Sequence, residues 1–370
     1  MQAANNRGFT LVEMMVALVV GFLVLAGIGQ IFIKTKRASV LQDELARMQE
    51  NSRYAMQLLN NEIRSAGYLG CRHASNMDPA YLDTDGTYFD NFALALEGYE
   101  ASGTGPGDSF VLASASDGWF NLAGGTPQDT ALKDQPLRAG SDILIVRHAY
   151  GPGLILTGDK QNDSQLKVFN ISRESEACSG GNDKFSELCA GGEERAIISD
   201  CERARSFKIG ALSLDTAGIL TITDASGASW VGEHSSAVPF TAADSTVFAA
   251  RTIAFFVRDN AVGNPALYRK IGDKNAEELV EGVENMQVVY GEDSDGDGVA
   301  DQYLPADQVA DFTDVVSIRL SLMLRTIQES AGKTHGEERL AMLSSSVTTP
   351  ADRHYRRVFT TTIRLRNPHG

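Results

Sequence analysis

Residues 14–33 are twenty consecutive uncharged, mostly aliphatic positions (MMVALVVGFLVLAGIGQIFI), and Lys34, Lys36 and Arg37 follow at once. At ~1.5 Å per residue the stretch reaches about 30 Å, the thickness of a bilayer's hydrocarbon core, which predicts a transmembrane helix. A secretory signal would have an apolar region of only ~7–15 residues ending at a small-residue cleavage site, whereas this run continues into a helical pattern. The cations follow the span, and the residues before it carry only Arg7 and the α-amine. Read alone, the positive-inside rule favours the orientation opposite to an exported head, so export requires a special insertion route.

Glu13 opens the apolar run. An ionised carboxylate carried to mid-bilayer without a partner costs roughly 2.5–3.5 kcal/mol. Two readings therefore stand: something neutralises Glu13, or it sits at the interface and favours the positive end of the helix dipole, worth about 0.3–1 kcal/mol. Beyond the span, Leu41, Leu45, Met48, Ala55, Leu59 and Ile63 recur at steps of 4, 3, 7, 4 and 4. That is one face of a continuous amphipathic helix reaching about Ala66, with Gly67 as its stop signal. A helix over 9–66 would be roughly 85 Å long, so half of it must serve as anchor and assembly rod.

After Cys71 the texture changes to short β-rich runs between Gly, Asp, Asn and Ser clusters. Strands are expected over 109–113, 142–148, 166–170, 219–223, 252–258, 285–290, 315–324 and 359–365. Residues 81–140 and 225–246 read as long loops or insertions. The fold class is α+β, a long N-terminal helix followed by an antiparallel β-rich head. With 33 basic and 48 acidic residues the net charge is −15, which repels a phosphate backbone and argues against general nucleic-acid binding.

Residues 293–301 place Asp293, Asp295, Asp297 and Asp301 at loop positions 1, 3, 5 and 9, with Gly298 at position 6. This is the arrangement that folds oxygen ligands around calcium, and Val299 at position 7 would offer its backbone carbonyl. Position 12 is Leu304 rather than a bidentate Glu, so Asp307, Glu292 or a remote acid must complete the shell. The preceding MQVVY reads as a strand, which makes the loop an isolated clip on a sheet edge, of a kind that commonly binds at ~10⁻⁴–10⁻³ M. The competing reading is a solvated acidic turn. The shorter 83–86 stretch (DTDG) reads as a plain turn.

Cys71, Cys178, Cys189 and Cys201 would lie on the exported side, where disulfides persist. Without a CxxC pair or a His at finger-like spacing, zinc is the weaker reading. Three pairings are possible; the preferred one joins Cys178 to Cys189 across a Gly-rich loop and leaves Cys71 to tie the helix end to Cys201. The motifs GxSxG, HExxH and GxxxxGK[ST] do not occur, so no catalytic residue is assigned and the chain is not expected to be an enzyme. His148 is expected to be hydrogen-bonded or on the surface rather than a metal ligand. Arg353, Arg356 and Arg357 read as solvated strand charges, or as an ion-pairing surface for an acidic partner.

The residues NRGFTLVEMMVAL (6–18) resemble the start of type IV prepilins: a short polar leader ending in Gly, then Phe, then Glu four residues later. The segments RSAGYLGC (64–71), GSDILIVR (140–147), IISDC (197–201), MQVVYGEDSDGDG (286–298), DVVSIRLSLMLR (314–325) and FTTTIRLRN (359–367) extend the resemblance, in order, to the PilW-like minor pilins. The resemblance implies that a prepilin peptidase cuts between Gly8 and Phe9, and that Phe9 becomes the N-methylated first residue. Glu13 would then pair with the α-ammonium group of a neighbouring subunit. The chain would divide into a leader (1–8), a transmembrane assembly helix (9–33), its amphipathic continuation (34–66) and a pilin-like head (67–370). It would sit in the inner membrane with its head in the periplasm before assembly, and on the pilus afterwards. Its partners would be other major and minor pilins, the prepilin peptidase, the inner-membrane assembly platform and a tip adhesin. The implied function is a minor pilin supporting pilus assembly or tip structure, and hence twitching motility and adhesion. The alternatives are a minor pseudopilin of type II secretion and a calcium-dependent binding module at the tip.

Overall fold

Helix α1 runs unbroken over Leu11–Ser65, close to the span expected from periodicity. The computed structural model describes residues 10–70, 91–115, 118–120, 132, 135–158, 165–169, 195–200, 203–214, 218–225, 240, 242, 244–272, 274–330, 334–343 and 345–367. Residues 10–40 of the helix are exposed throughout, so the apolar run projects free of the head. From there the predicted face turns inward: Met48, Ala55, Leu59 and Ile63 are buried, with Glu44 and Ser52 filling the polar steps between them. Burying Leu59 and Ile63 fully contributes roughly 1.5–3 kcal/mol each. The helix stops where Gly67 adopts φ +72°, a left-handed conformation that favours glycine, and the Gly67 N–H donates to the Arg147 carbonyl at 3.0 Å.

The head is built on two main sheets. In the larger, β3 (Trp119–Phe120), β1 (Leu96–Ala101), β4 (Ile143–Ile155) and β9 (Thr246–Asp259) lie side by side. The sheet continues through β6 (Arg195–Ser199), β7 (Ala204–Leu214), β8 (Ile219–Asp224) and β5 (Gln165–Phe169). Strand β9 is long enough to serve two partners on one edge: β6 pairs with its first half and β10 (Pro265–Ile271) with its second, with β11 (Glu277–Glu281) beyond β10. The second sheet has the order β13 (Gln302–Leu304), β12 (Val283–Glu292), β14 (Val315–Arg325), β17 (Arg356–Arg364). A small third sheet joins β15 (Arg339–Met342), β16 (Ser345–Thr348) and β2 (Ser109–Val111). Its β16–β2 pair is parallel, while the other described strand pairs are antiparallel.

The main core lies where the buried face of α1 meets both large sheets, through Leu144, Val146, Ile253 and Phe255 on one side and Met286, Val288, Leu320 and Leu322 on the other. Polar contacts fix the upper end of the helix. Glu62 accepts from Arg251 at 3.0 Å and pairs with His148 Nε2 at 2.9 Å, while His148 Nδ1 faces the Ala149 carbonyl at 2.9 Å. His148 is therefore a buried, hydrogen-bonded residue that docks the helix.

Each expected strand is present with shifted ends. The reading of 81–140 as loop is corrected in part, because β1 and β3 lie within it and extend the larger sheet. The turn expected at 83–86 lies outside the described residues.

Candidate functional site

The acidic loop is a hairpin connection. Strand β13 folds back on β12 with Tyr290 opposite Leu304 and Glu292 opposite Gln302, and the Asp301 N–H donates to the Glu292 carbonyl at 2.9 Å. Gly296 (φ +79°) and Gly298 (φ +82°) take the left-handed turns that curl the intervening backbone inward. Asp293 organises the curl: its Oδ1 accepts from Gly296 N at 2.8 Å and Asp297 N at 3.2 Å, and its Oδ2 accepts from Gly298 N at 2.7 Å. Burial by itself raises the Asp293 pKa, but these three N–H donors outweigh it and hold the group below its ordinary value. It therefore stays an anion while its neighbours gather around it.

Carboxylate oxygens of Asp293, Asp295 and Asp297 lie within 4.8 Å of one another, the spacing at which one cation contacts all three. Asp301 is not in that group. Its Oδ2 accepts from the Ser294 N–H and hydroxyl, which lower its pKa, so its carboxylate buttresses the far side of the loop. The Val299 side chain points to solvent at 60% exposure, and its N–H donates to Asp297 Oδ1 at 2.8 Å. The two acids that could complete the shell differ in their surroundings. Glu292 accepts from Gln302 Nε2 at 2.8 Å, whereas half-buried Asp307 stands in the field of Glu100 and Asp142, whose pKa values its charge raises. From β17, Arg364 Nη2 donates to the Gly298 carbonyl at 2.9 Å and ties the loop to the second sheet.

At the other end of the molecule Thr10 is the N-cap of α1, and it forms a reciprocal capping box with Glu13. The Thr10 N–H and hydroxyl donate to Glu13 Oε2 at 2.9 and 3.0 Å, and the Glu13 N–H donates to Thr10 Oγ1 at 3.3 Å. Within one chain, then, Glu13 takes the dipole-compensating role at the exposed tip of the rod, one of the two roles open to it. Gly8 and Phe9 lie outside the described residues, as do Cys71, Cys178, Cys189 and Cys201.

The basic triplet at 353–357 requires a correction. Arg353 and Arg357 are solvent-facing, but the Arg356 side chain is 3% exposed. Its Nε donates to Glu284 at 2.6 Å and its two terminal nitrogens grip Asp352 at 2.8 and 2.6 Å. No sequence signal could have revealed this, since Glu284 is 72 residues away in the chain. A second buried group also escaped the sequence: Glu100 at the edge of β1 and Asp142 before β4 are 5% and 2% exposed, with Thr104 Oγ1 donating to Glu100 at 3.0 Å.

A family model described as Type IV Pilus-assembly protein W matches residues 254–367, which run from within β9 to just past β17 and include the acidic loop and its sheet. A second model, the prokaryotic N-terminal methylation motif, matches residues 3–29, covering Glu13 and most of the apolar run. No curated protein and no solved structure matches the chain. The two models fall on the two parts that the geometry sets apart: the free rod is similar to the N-terminal methylation motif, and the sheet carrying the loop is similar to the PilW family.

Proposed function

We propose that the chain is a type IV pilin, a minor subunit that acts by assembly, priming or capping a pilus. The observation that carries the reading is the division of α1: one half is packed into the head, and the other is an apolar rod with none of its surface buried. Exposed apolar area of that extent needs a bilayer or neighbouring rods to cover it. Cleavage by a prepilin peptidase between Gly8 and Phe9 would place a new ammonium group four residues from Glu13, and the pairing of that group with Glu13 of a neighbour sets the register of stacked rods. The other pilins, the assembly platform and a tip adhesin are the partners of this reading. The subunit moves from the inner membrane, head in the periplasm, to the cell surface. Disruption of the gene tests it: lost twitching with intact exoprotein secretion fits a pilus subunit, whereas the reverse assigns the chain to type II secretion.

Glu13→Ala is expected to leave leader cleavage intact and to lower incorporation into sheared pili about tenfold or more, because removing one partner of a desolvated ion pair costs ~3–5 kcal/mol. Glu13→Gln separates the two roles of this residue. Glutamine still offers the cap an acceptor but carries no charge, so immunoblots showing Gln restored to wild-type incorporation would refute intersubunit pairing.

Calcium bound by Asp293, Asp295 and Asp297, with the Val299 carbonyl and Asp301 supporting, would relieve the repulsion among these acids and stiffen the hairpin as a contact surface. For a dissociation constant of ~10⁻⁴ M, calcium at a hundredfold excess should stabilise the protein by about 2.7 kcal/mol. Melting of the full chain with calcium and with chelator measures this, and an Asp293→Asn variant should lose the difference. Identical melts in the two conditions would remove calcium from the mechanism. Retention of the protein on a glycan or protein ligand only when calcium is present would instead favour a binding module at the tip.

A further inference from the structure

Where α1 leaves the head, a groove of about 550 Å³ opens between helix and head. Its helix side is formed by Phe32, Ile33, Val40 and Leu41, and its head side by the turn from Thr326 to Ser330 together with Tyr355. Phe32 is 68% exposed and Ile33 51% exposed, so apolar surface faces the opening. The groove is held open by a specific contact. Glu44, itself buried, accepts from the Ile327 and Gln328 N–H groups at 3.1 and 3.2 Å and fixes the turn at a set distance from the helix.

The position of the groove along the rod identifies what fills it. The uncharged run ends at Ile33, so the lower part of the groove lies at the edge of the hydrocarbon core, and Lys36 and Arg37 on its rim lie at the level of lipid phosphates. Tyr355 suits the same interfacial zone, with an apolar ring and a polar tip. A second rod at equal height would bring its own Lys34, Lys36 and Arg37 against these cations, which disfavours another copy of the chain there.

We propose that the groove binds a glycerophospholipid of the leaflet beneath the head, one acyl chain lying along Phe32 and Ile33, the phosphate against Lys36 and Arg37, and the headgroup reaching past Val40 and Leu41 toward the 326–330 turn. The bound lipid seats the head at a fixed height on the membrane before the subunit enters a filament. The inference rests on residues 14–33 spanning the bilayer, and its test separates the two claims.

The full chain is placed in nanodiscs containing two photoactivatable phospholipids, one labelled in the acyl chain and one in the headgroup, and the labelled peptides are mapped. Labelling of 326–330 and Tyr355 by the headgroup probe and of 14–33 by the acyl probe is expected. Labels confined to 14–33 would overturn the groove site while leaving the span intact, and an unlabelled 14–33 segment would overturn the span itself. The double variant Lys36→Glu/Arg37→Glu should reduce labelling of 326–330 about tenfold, with 14–33 unchanged, because each cation near the phosphate level contributes to lipid affinity. Undiminished labelling of 326–330 in that variant would overturn the assignment of the phosphate. A photoactivatable residue at position 40 is expected to yield phospholipid adducts, and chain-to-chain adducts in their place would give the groove to a second copy.

Discussion

Glu284→Ala is expected to destabilise the head by about 3–5 kcal/mol, the cost of leaving buried charge without its partner. Glu284 sits where the pairing of β12 with β14 slips register between Val283 and Asn285, an irregularity that re-aims side chains. Its side chain is 1% exposed, and three guanidinium groups converge on it: Arg356 at 2.6 Å, Arg138 at 3.5 Å and Arg325 at 3.6 Å. Arg138 also holds Asp259 of β9 at 2.6 Å, so the cluster ties the larger sheet to the second one. Burial lowers the Arg325 pKa and the Glu284 charge supports it, so loss of that carboxylate removes the main compensation for a desolvated cation. At about 2–4 °C per kcal/mol for a domain of this size, the melting temperature should fall by roughly 10 °C. The double variant Glu284→Met/Arg356→Met should cost less than the sum of its two single changes, because it removes both charges together. Strict additivity in thermal melts would show that the two side chains do not act as a unit.

What was legible in the sequence divides along the range of the forces involved. The helix could be read because its signal is local: a 3.6-residue period through Leu41 to Ile63, and then a glycine able to adopt positive φ. The acidic loop was equally local, since its glycines and carboxylates bond to one another within nine residues. Strand β1 was missed because its residues (LEGYEA) do not alternate. Nearly all of them are buried, two are acidic, and a glycine stands where any Cβ would overlap the Tyr290 hydroxyl. Strand β10 opens on Pro265, which discourages assignment as an interior strand, yet proline is tolerated at the first position. Arg356 looked like surface charge because its neighbours in sequence are exposed. Its environment is set by strand pairing between residues far apart, which composition and spacing do not encode.

Raising the pH from 5 to 8 is expected to weaken the head, opposite to the trend of a protein whose acids are mostly salt-bridged. Burial, followed by the charge of Asp142, pushes the Glu100 pKa up to about 10. Burial also pushes Asp142 up to about 7, although the Ala101 and Val288 N–H groups, at 3.0 and 2.8 Å, pull the other way. Both folded-state values exceed the ordinary ones, so the native state binds more protons than the unfolded chain across this window. The contribution is fully present below about pH 4 and is lost as pH rises through the folded values. One extra bound proton over three pH units corresponds to about 2–4 kcal/mol after allowance for relaxation. Glu100→Gln preserves an acceptor for Thr104 without the charge, so its melting temperature should exceed wild type at pH 8 and show a flatter pH profile. Parallel profiles for the two proteins would mean that Glu100 stays ionised in the native head. The acid limb has a different origin. Burial favours protonation of Asp352, but hydrogen bonds from Arg356 and the His354 N–H hold its pKa at about 2, so that part of the stability disappears only as pH falls toward 2. Between these limits lies a stability maximum displaced to the acidic side. Tyr290 takes no part in this window: burial, followed by the charges of Asp142 and Glu100, holds its pKa well above the ordinary value, so its hydroxyl stays protonated.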